Sequence, residues 1–402
     1  MKRILFINTV LNYGSTGHIV EDLGTLANGE GFESFVVYGR KKRTSSLNAI
    51  YIGNPLSFLF HVLFTFITDK HGLCSDFATK KLIKTIKKIK PDIIHLHNLH
   101  GYYLNYKVLF EYLKKINIPV IWTLHDCWAY TGHCSHYTFV KCSDWKNSCS
   151  KCPQKTNYPP SLLLDNCHFN FEEKKKLFSS LEKLIITTPS KWLADEVKQS
   201  FLGKYPILPI YNGIDFSIFQ PSKNNPYNVL DGKKIILSVA NVWDSRKGYD
   251  DLIQLNSLID HDRYQIVMIG LNKKQIQKLP ETIIGVERTE SVQDLVDYYT
   301  FADVYFNASV EETLGMTTIE AQSCGTPCVV YNSTAIPETI VSYETGIIVP
   351  ANDVNAAYSA VIEICNKDKQ IYRSICVNWA KSQFDKNKNY EKYLKLYKEV
   401  EK

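Results

Sequence analysis

Two glutamates, Glu312 and Glu320, flank a glycine in Ser309–Pro327, the most informative segment of the chain. Glu312 is predicted to lie in a loop that follows a strand. Gly315 lets the backbone approach a ligand closely, and it precedes a predicted helix start at Thr317. The free amides of a helix start favour a phosphate or a sugar hydroxyl. Glu320, one turn into that helix, is placed to bind a vicinal diol.

Arg246 and Lys247 follow the predicted strand Lys234–Ala240 and precede Gly248, where another helix is predicted to begin. Two cations before a helix N-terminus predict a diphosphate site, because the helix amides and the cations attract the same anion. An ordinary solvated surface is the alternative interpretation.

In the first half, Gly14 and Gly17 lie in a turn between a predicted strand and a helix, a pattern equally typical of an ordinary connection. His125 ends another strand and is predicted to point into a binding cleft; a core histidine with satisfied nitrogens is the alternative. Three more histidines cluster at a strand end: His95, His97 and His100. The segment His100–Tyr103 could line an acceptor pocket or pack in the core.

Five of the eleven cysteines lie within one short segment: Cys127, Cys134, Cys142, Cys149 and Cys152. The pair Cys149 and Cys152 has the spacing of a metal loop. The residues between these cysteines are mostly polar and are expected to bury little apolar surface, so the segment needs another source of stability. A structural zinc held by Cys134, Cys142, Cys149 and Cys152 is predicted, with disulfides or free thiols as the alternatives and His133 or His136 as substitute ligands.

Short apolar runs alternate with helical patterns in both halves of the chain, which predicts parallel sheets covered by helices on both faces. The expected fold class is therefore α/β, with two Rossmann-like doubly wound domains facing across a cleft. The predicted domains are 1–215, with a cysteine-rich insertion near 127–152, and 216–402, with a C-terminal helix that is a candidate for packing back on the first domain. Ten strands are predicted: Arg3–Asn8, Ser34–Tyr38, Asp92–His97, Val120–Leu124, Leu184–Thr188, Lys234–Ala240, Gln265–Ile269, Val304–Phe306, Cys328–Tyr331 and Gly346–Val349.

The composition is that of a globular protein: of 402 residues, 45% are hydrophobic and 22% charged. It excludes a disordered chain, a collagen-like fibre and a coiled coil. No apolar run is long enough to span a membrane, and the apolar start of the chain is expected to be a buried strand rather than a signal peptide. A cytoplasmic location is expected.

The basic excess lies in the first half, where 27 Lys and Arg face 17 Asp and Glu, against 20 and 24 after Asp215. A solvated surface or attraction to an anionic membrane or acceptor would explain it; no nucleic-acid-binding motif is found, and no nucleic-acid partner is expected. The apolar stretch Leu56–Ile67 predicts a core helix or, alternatively, a helix lying in a membrane interface.

The Glu312 to Glu320 spacing, the glycine loop and the ending Gly325–Pro327 together resemble the retaining glycosyltransferases of family 4, also called glycosyl transferases group 1. The resemblance extends over most of the chain and is to the bacterial polysaccharide biosynthesis type. It implies the GT-B fold, a donor-sugar contact by Glu312 and a ribose contact by Glu320. It also implies that the amides of the loop hydrogen-bond sugar hydroxyls, at Gly315, Met316 and Thr317.

Within this resemblance Lys247 matches a family lysine, whereas Ala240 and Asn241 stand where the family has Gly-Arg, so Arg246 is the candidate for the missing cation. His125 matches a histidine that contacts the donor sugar. The turn with Gly14 and Gly17 resembles the family's N-terminal glycine loop.

The function implied is transfer of a sugar from a nucleotide-sugar donor, UDP- or GDP-linked, to an oligosaccharide or lipid-linked acceptor with retention of configuration. No catalytic metal is expected. The resemblance points to cell-surface polysaccharide biosynthesis, with a peripheral position at the inner face of the plasma membrane. The alternatives are a non-catalytic nucleotide- or carbohydrate-binding protein and a nucleotide-sugar epimerase of the same fold.

Overall fold

A computed structural model describes residues 1–227, 230 and 232–400 of the chain. It divides into two compact units, Met1–Ile210 with the C-terminal segment from Tyr390, and Tyr211–Asn389. The predicted domain break after Asp215 lies a few residues beyond the start of the second unit. The last two residues of the predicted C-terminal helix, Glu401 and Lys402, lie outside the described residues.

The first unit is built on a seven-stranded parallel sheet with the order β3-β2-β1-β4-β5-β6-β7. Its strands are β1 Lys2–Asn8, β2 Phe32–Tyr38, β3 Asn48–Tyr51, β4 Ile93–Leu96, β5 Val120–Thr123, β6 Leu184–Thr188 and β7 Ile207–Pro209. Its helices are α1 Gly14–Gly29, α2 Pro55–Thr68, α3 Asp76–Ile89, α4 Tyr106–Ile116, α5 Cys167–Phe178 and α6 Lys191–Lys198.

The second unit has a six-stranded parallel sheet with the order β10-β9-β8-β11-β12-β13. Its strands are β8 Lys234–Val239, β9 Tyr264–Ile269, β10 Ile283–Val286, β11 Val304–Asn307, β12 Cys328–Asn332 and β13 Gly346–Pro350. Its helices are α7 Tyr249–Asn256, α8 Lys273–Ile276, α9 Val292–Phe301, α10 Met316–Ser323, α11 Val354–Cys365 and α12 Lys369–Phe384, and α13 Lys386–Glu399 leads back to the first unit. The predicted α/β class with two parallel sheets is confirmed.

All ten predicted strands are present, and three strands were missed. The missed strands are the outermost ones on their sheets, β3, β7 and β10. Edge strands are short and half-exposed, so their sequences lack the continuous apolar run that identifies a central strand.

Alternate residues of the central strand β1 pack on opposite sides of the first sheet. Leu5 and Ile7 belong to the core that also contains the inner faces of α3 and α4. Ile4 and Phe6 belong to the core formed with α1 and α13. Because side chains alternate along a strand, α3 and α13 cover opposite faces of this sheet.

Two expectations about the first unit are wrong. The apolar stretch Leu56–Ile67 forms α2 but is not a core helix, because its leucines and phenylalanines are largely exposed. The cysteine-rich insertion is not a polar loop without a core. It buries Tyr130, Tyr137 and Trp145 against one another, with ring centroids of Tyr137 and Trp145 4.8 Å apart, and these rings join the main core of the unit.

Candidate functional site

The strand order of the second sheet reverses between β8 and β11, which are neighbours although they are far apart in sequence. In doubly wound sheets, ligands bind beyond the carboxyl ends of the strands at such a switch point. The loop after β8 carries Lys247 and the loop after β11 carries Glu312. The two loops are joined by a backbone hydrogen bond of 2.9 Å from the Val310 amide to the Arg246 carbonyl.

Lys247 and Glu312 form a partly exposed ion pair in which Lys247 Nζ donates to Glu312 Oε1. Asp244 orients the lysine, because its carboxylate caps the short 3-10 turn Ser245–Lys247 and accepts from the Lys247 amide at 3.2 Å. The Glu312 amide donates to Thr334 Oγ1 at 3.1 Å, which holds the second loop. The structure thus brings together two residues that the sequence placed on separate motifs.

Arg246 lies beside Lys247 but is engaged by carboxylates of its own unit. Its Nη2 is 2.7 Å from Asp244 Oδ2, and its Nη1 is 3.6 Å from the buried Glu311 Oε2. Asn241, at the position where the family has arginine, is exposed. Arg246 is therefore the cation next to Lys247 in this loop, and its replacement of the missing arginine stays a prediction.

Helix α10 begins at Met316, one residue before the predicted start, and Gly315 precedes it with φ of 96°. This left-handed conformation favours glycine. A Cβ at Gly315 would meet its nearest atoms at 3.7 Å, an ordinary van der Waals contact, so an added methyl group would not clash there. The first amides of a helix have no partner within the helix, so those of Met316 and Thr317 are available to a ligand.

Glu320 lies on α10 and accepts a hydrogen bond of 2.9 Å from the hydroxyl of Tyr299 on α9. Burial raises the pKa of the Glu320 carboxyl to about 7, although the bond from Tyr299 acts in the opposite direction. Tyr299 was missed by sequence reasoning, because a tyrosine in a helix resembles any core residue. Because its pKa is about 7, the Glu320 carboxyl is present in both its neutral and its charged form near neutral pH.

In the first unit, His125 follows β5 and shares a hydrogen bond of 2.9 Å with His97, on which its ring is stacked. Burial lowers the pKa of His125 to about 4, so the imidazole is neutral at pH 7. The next residue, Asp126, pairs with His100 at 2.7 Å.

His95 behaves as a core histidine, because both its nitrogens are hydrogen-bonded within the core. Nδ1 bonds the Tyr397 hydroxyl and Nε2 bonds Thr123 Oγ1, each at 2.7 Å. His97, in contrast, contacts His125, and both belong to the loops after the neighbouring strands β4 and β5.

The predicted glycine turn opens α1. Gly14 is the first residue of the helix, with φ of 63°, and a Cβ there would meet nothing within 4 Å. Gly17 is buried, and a Cβ there would lie 3.2 Å from the Asn12 amide nitrogen. Only Gly14 therefore faces open space, whereas Gly17 allows the helix to approach the preceding loop.

The four predicted zinc ligands, Cys134, Cys142, Cys149 and Cys152, line one small cavity together with Cys167. The Gly132 amide donates to Cys149 Sγ at 3.2 Å. As the side chains lie, no group of three or more His, Cys, Asp or Glu in the described part of the chain could hold a metal ion.

Two family models match consecutive parts of the chain. The model described as Glycosyltransferase Family 4 matches residues 18–217, and the model described as Glycosyl transferases group 1 matches residues 220–383. The chain belongs to the family 4 glycosyltransferases. The family predicted from the Glu312 and Glu320 segment is thereby confirmed.

Relatives of this family 4 glycosyltransferase include WcaC of Escherichia coli K12, whose name places it in colanic acid biosynthesis. It is 31% identical over 53% of this chain and 55% of its own length. CapM of Staphylococcus aureus, a capsular polysaccharide biosynthesis glycosyltransferase, is 26% identical over 47% of this chain and 51% of its own length. The matches span about half the length of each relative. Neither favours the epimerase or the non-catalytic alternative.

Solved structures share the fold of this family 4 glycosyltransferase over nearly the whole chain. Sucrose-phosphate synthase from Thermosynechococcus elongatus has a TM-score of 0.76 at 16% identity, covering 100% of this chain and 99% of that one. HepE of Anabaena, solved in complex with UDP-glucose, has a TM-score of 0.66 at 13% identity, covering 99% and 100%. The predicted GT-B fold is therefore confirmed.

Proposed function

We propose that this chain transfers a sugar from a nucleoside-diphosphate sugar to a glycan or lipid-linked acceptor, with retention of configuration, during cell-surface polysaccharide assembly. The observation that carries the proposal is the Lys247–Glu312 pair at the switch point of the second sheet, beside the start of α10. The similarity to WcaC and CapM supports the class of product.

In this proposal the diphosphate of the donor binds Lys247, with Arg246 as the second cation. Negative charge grows on the leaving diphosphate as the sugar is transferred, and fixed cations aimed at that charge stabilise the transition state more than the ground state. The amides of Gly315, Met316 and Thr317 bind sugar hydroxyls. These protein groups supply the charge stabilisation, so a catalytic metal is not part of the proposal.

The ion pair suggests how the site changes when donor binds. Glu312 compensates the charge of Lys247 in the free protein. A diphosphate would compete for the lysine, and Glu312 would then be free to accept a hydrogen bond from the sugar. The pair thus keeps two charged groups in place before the donor arrives.

Glu320 is proposed to bind the two ribose hydroxyls of the nucleotide. Its carboxyl already accepts one hydrogen bond, from the Tyr299 hydroxyl, and the second carboxyl oxygen remains as an acceptor. In the first unit, His125 is the proposed sugar-contacting residue and the Gly14 turn the proposed binding loop. Because His125 is neutral, it can donate to or accept from a hydroxyl without adding charge.

The donor nucleotide is proposed to be UDP-linked, with a GDP-linked donor as the alternative. The support is that HepE, a structure of the same fold, was solved with UDP and with UDP-glucose. A panel of nucleoside diphosphates in thermal-shift measurements tests this. A ligand at a hundred times its dissociation constant should stabilise the protein by about 2.7 kcal/mol. Release of nucleoside diphosphate from a donor in the presence of acceptor then separates a transferase from a binding protein.

A structural zinc at Cys134, Cys142, Cys149 and Cys152 also remains a proposal. Its support is that these thiols line a common cavity. Elemental analysis of protein purified without a metal-affinity tag should find about one zinc per chain, the stoichiometry of a four-ligand site. Metal-free protein with titratable thiols in this segment would remove zinc from the account.

A further inference from the structure

Helix α2, Pro55–Thr68, exposes most of its leucines and phenylalanines and buries two polar residues, His61 and Thr65. The fourteen residues contain no charged side chain. Leu56, Leu59, Phe60 and Leu63 are between 54% and 79% exposed. Their spacing continues to Phe66 and Ile67, so all of them form one stripe along the helix.

Hydrogen bonds fix this orientation. On the inner face, His61 Nδ1 is 2.9 Å from Ser75 Oγ, and its Nε2 accepts from the Gly72 amide at 3.1 Å. Thr65 is also fully buried and donates to the His61 carbonyl. Rotating the helix to bury its leucines would break both hydrogen bonds of His61. The exposed stripe is therefore a stable feature of the fold.

A second chain segment enlarges the stripe. The amides of Leu162 and Leu164 donate to the carbonyls of Phe66 and Ile67 at 2.9 and 3.1 Å, and so complete the last turn of α2. This pairing places the exposed Leu162, Leu163 and Leu164 beside the end of the helix. Exposed apolar patches formed by several adjacent side chains are uncommon on soluble proteins and mark interaction surfaces.

Cations border the same patch. Helix α3 begins beside α2, because Ser75 contacts His61 and Ser57. Its first turn presents Phe77, which is 77% exposed. The same face continues at helical spacing into exposed lysines, and the helix carries five lysines against one acidic residue: Lys80, Lys81, Lys84, Lys87, Lys88 and Asp76.

We propose that the α2 surface, made of the α2 stripe, Leu162–Leu164 and Phe77, docks on an anionic phospholipid bilayer. Leucine and phenylalanine side chains would enter the acyl boundary while the α3 lysines contact anionic headgroups, the two signals that together give stable peripheral binding. No helix in the described residues is long and apolar enough to cross a membrane. A helix of fourteen residues is about 21 Å long and is suited to lying in the interface.

The bilayer fits better than a second copy of the chain. A twofold contact would bring the same patch of both chains together and so place one lysine-rich α3 near the other. An anionic lipid surface instead offers the opposite charge beside an apolar interior. The inference does not depend on the sugar-transfer reaction, so vesicle binding and transferase activity can succeed or fail separately.

Vesicle co-sedimentation of the full chain tests the proposal, with phosphatidylcholine vesicles containing or lacking phosphatidylglycerol. We expect binding that needs the anionic lipid and falls as salt rises. The double variant Leu59→Glu/Phe60→Glu should lose at least about tenfold in binding, because two apolar side chains that would enter the bilayer are replaced by charges that the anionic surface repels. The matched control is Ile371→Glu/Ile375→Glu on α12 of the other unit, where Ile371 is 60% exposed; it should bind like the wild type.

A second pair of variants separates the lysine contribution from net charge. Lys80→Gln/Lys84→Gln on α3 should weaken binding and flatten its salt dependence. Lys395→Gln/Lys398→Gln on α13 removes the same charge from the opposite face of the sheet and should change binding little. All four positions that are tested on α2 and α3 are exposed, so folding, measured by the melting temperature, should be retained.

Wild-type protein that stays unbound on anionic vesicles overturns the proposal. So does a Leu59→Glu/Phe60→Glu variant that binds as well as its α12 control. Light scattering tests whether the surface instead binds a second copy of the chain. If the wild type is a dimer and this variant is a monomer, the surface is a dimer interface and the membrane assignment is overturned.

Discussion

Two regions are proposed to bind a ligand from outside: the loops that carry Lys247 and Glu312 in the second unit, and helix α2 in the first unit. They present side chains of opposite kinds. The loops expose charges that compensate each other across 65 residues of sequence. Helix α2 exposes apolar side chains that meet solvent. A polar site is satisfied before its ligand arrives, whereas an apolar surface gains its free energy only when it is covered.

The difference also explains which region could be recognised from the sequence. Charged and glycine residues at fixed spacing pointed to the loops that are proposed to bind the donor, because those residue types suit phosphate and sugar binding. Helix α2 has no charged residue to mark its outer side, so its composition suggested a core helix. Helix α4 shows the contrast: like α2 it is capped by an asparagine, Asn105, but Lys107 and Lys114 mark its outer face and its burial follows the pattern.

The largest expected effect is a loss of transfer rate when the Lys247 loop is altered, with vesicle binding unchanged. Lys247→Ala should lower the rate of transfer by about 10²–10³, the loss found when a group that stabilises developing negative charge is removed. Its vesicle binding should be unchanged, because the lysine lies in the other unit. Steady-state kinetics with Lys274→Ala, an exposed lysine on α8, provides the control. A Lys247 variant with the wild-type rate would remove this loop from the site.

Gly270 and Gly315 have nearly the same positive φ, but the backbone is packed tightly against Gly270 and not against Gly315. A Cβ at Gly270 would lie 1.7 Å from the Ala240 carbonyl oxygen, whereas one at Gly315 meets nothing closer than 3.7 Å. Gly315→Ala should therefore cost about 1–3 kcal/mol of stability from backbone strain alone. Gly270→Ala should cost more, and Gly315→Ala should be the one that weakens donor binding. Chemical denaturation and nucleotide titration of both variants check this. Equal losses of stability in the two variants would contradict the difference in packing around the two glycines.

Acid should weaken the first unit more than the second. Burial lowers the pKa of His61 and His125 to about 4 and that of His95 to about 3, and all three lie in the first unit. A depressed histidine pKa means that the unfolded chain binds the proton more tightly. Stability is therefore fully present above the unfolded value near 6.5 and falls as pH drops from there toward 4.

At pH 5 the loss is on the order of 2 kcal/mol for each such histidine. Hydrogen exchange at pH 7.5 and pH 5 measures the two units separately. Loss of protection should be greater in β4, β5 and α2 than in the strands of the second unit. Equal loss in both units would contradict the assignment of these histidines as buried and neutral.

The sequence determined the central strands and the charged motifs because each depends on local patterns. It could not determine features that depend on long-range packing. Trp145 and Tyr137 lie among polar residues, yet they fold onto the main core of the first unit. The bond from Tyr299 to Glu320 joins two helices and has no signature in either segment.

Titration calorimetry with UDP tests the donor site most directly, because it needs no acceptor. If the ribose binds the ionised Glu320, whose pKa in the free protein is about 7, affinity should rise from pH 6 to pH 8 as the carboxyl loses its proton. Glu320→Ala should weaken binding by about 1–3 kcal/mol at pH 8, the cost of a lost hydrogen bond to a charged group. The variant should also lose the part of the pH dependence that comes from ionisation of Glu320, and keep the part that comes from ionisation of the nucleotide. Unchanged affinity and an unchanged pH profile in Glu320→Ala would contradict the placement of the nucleotide on α10.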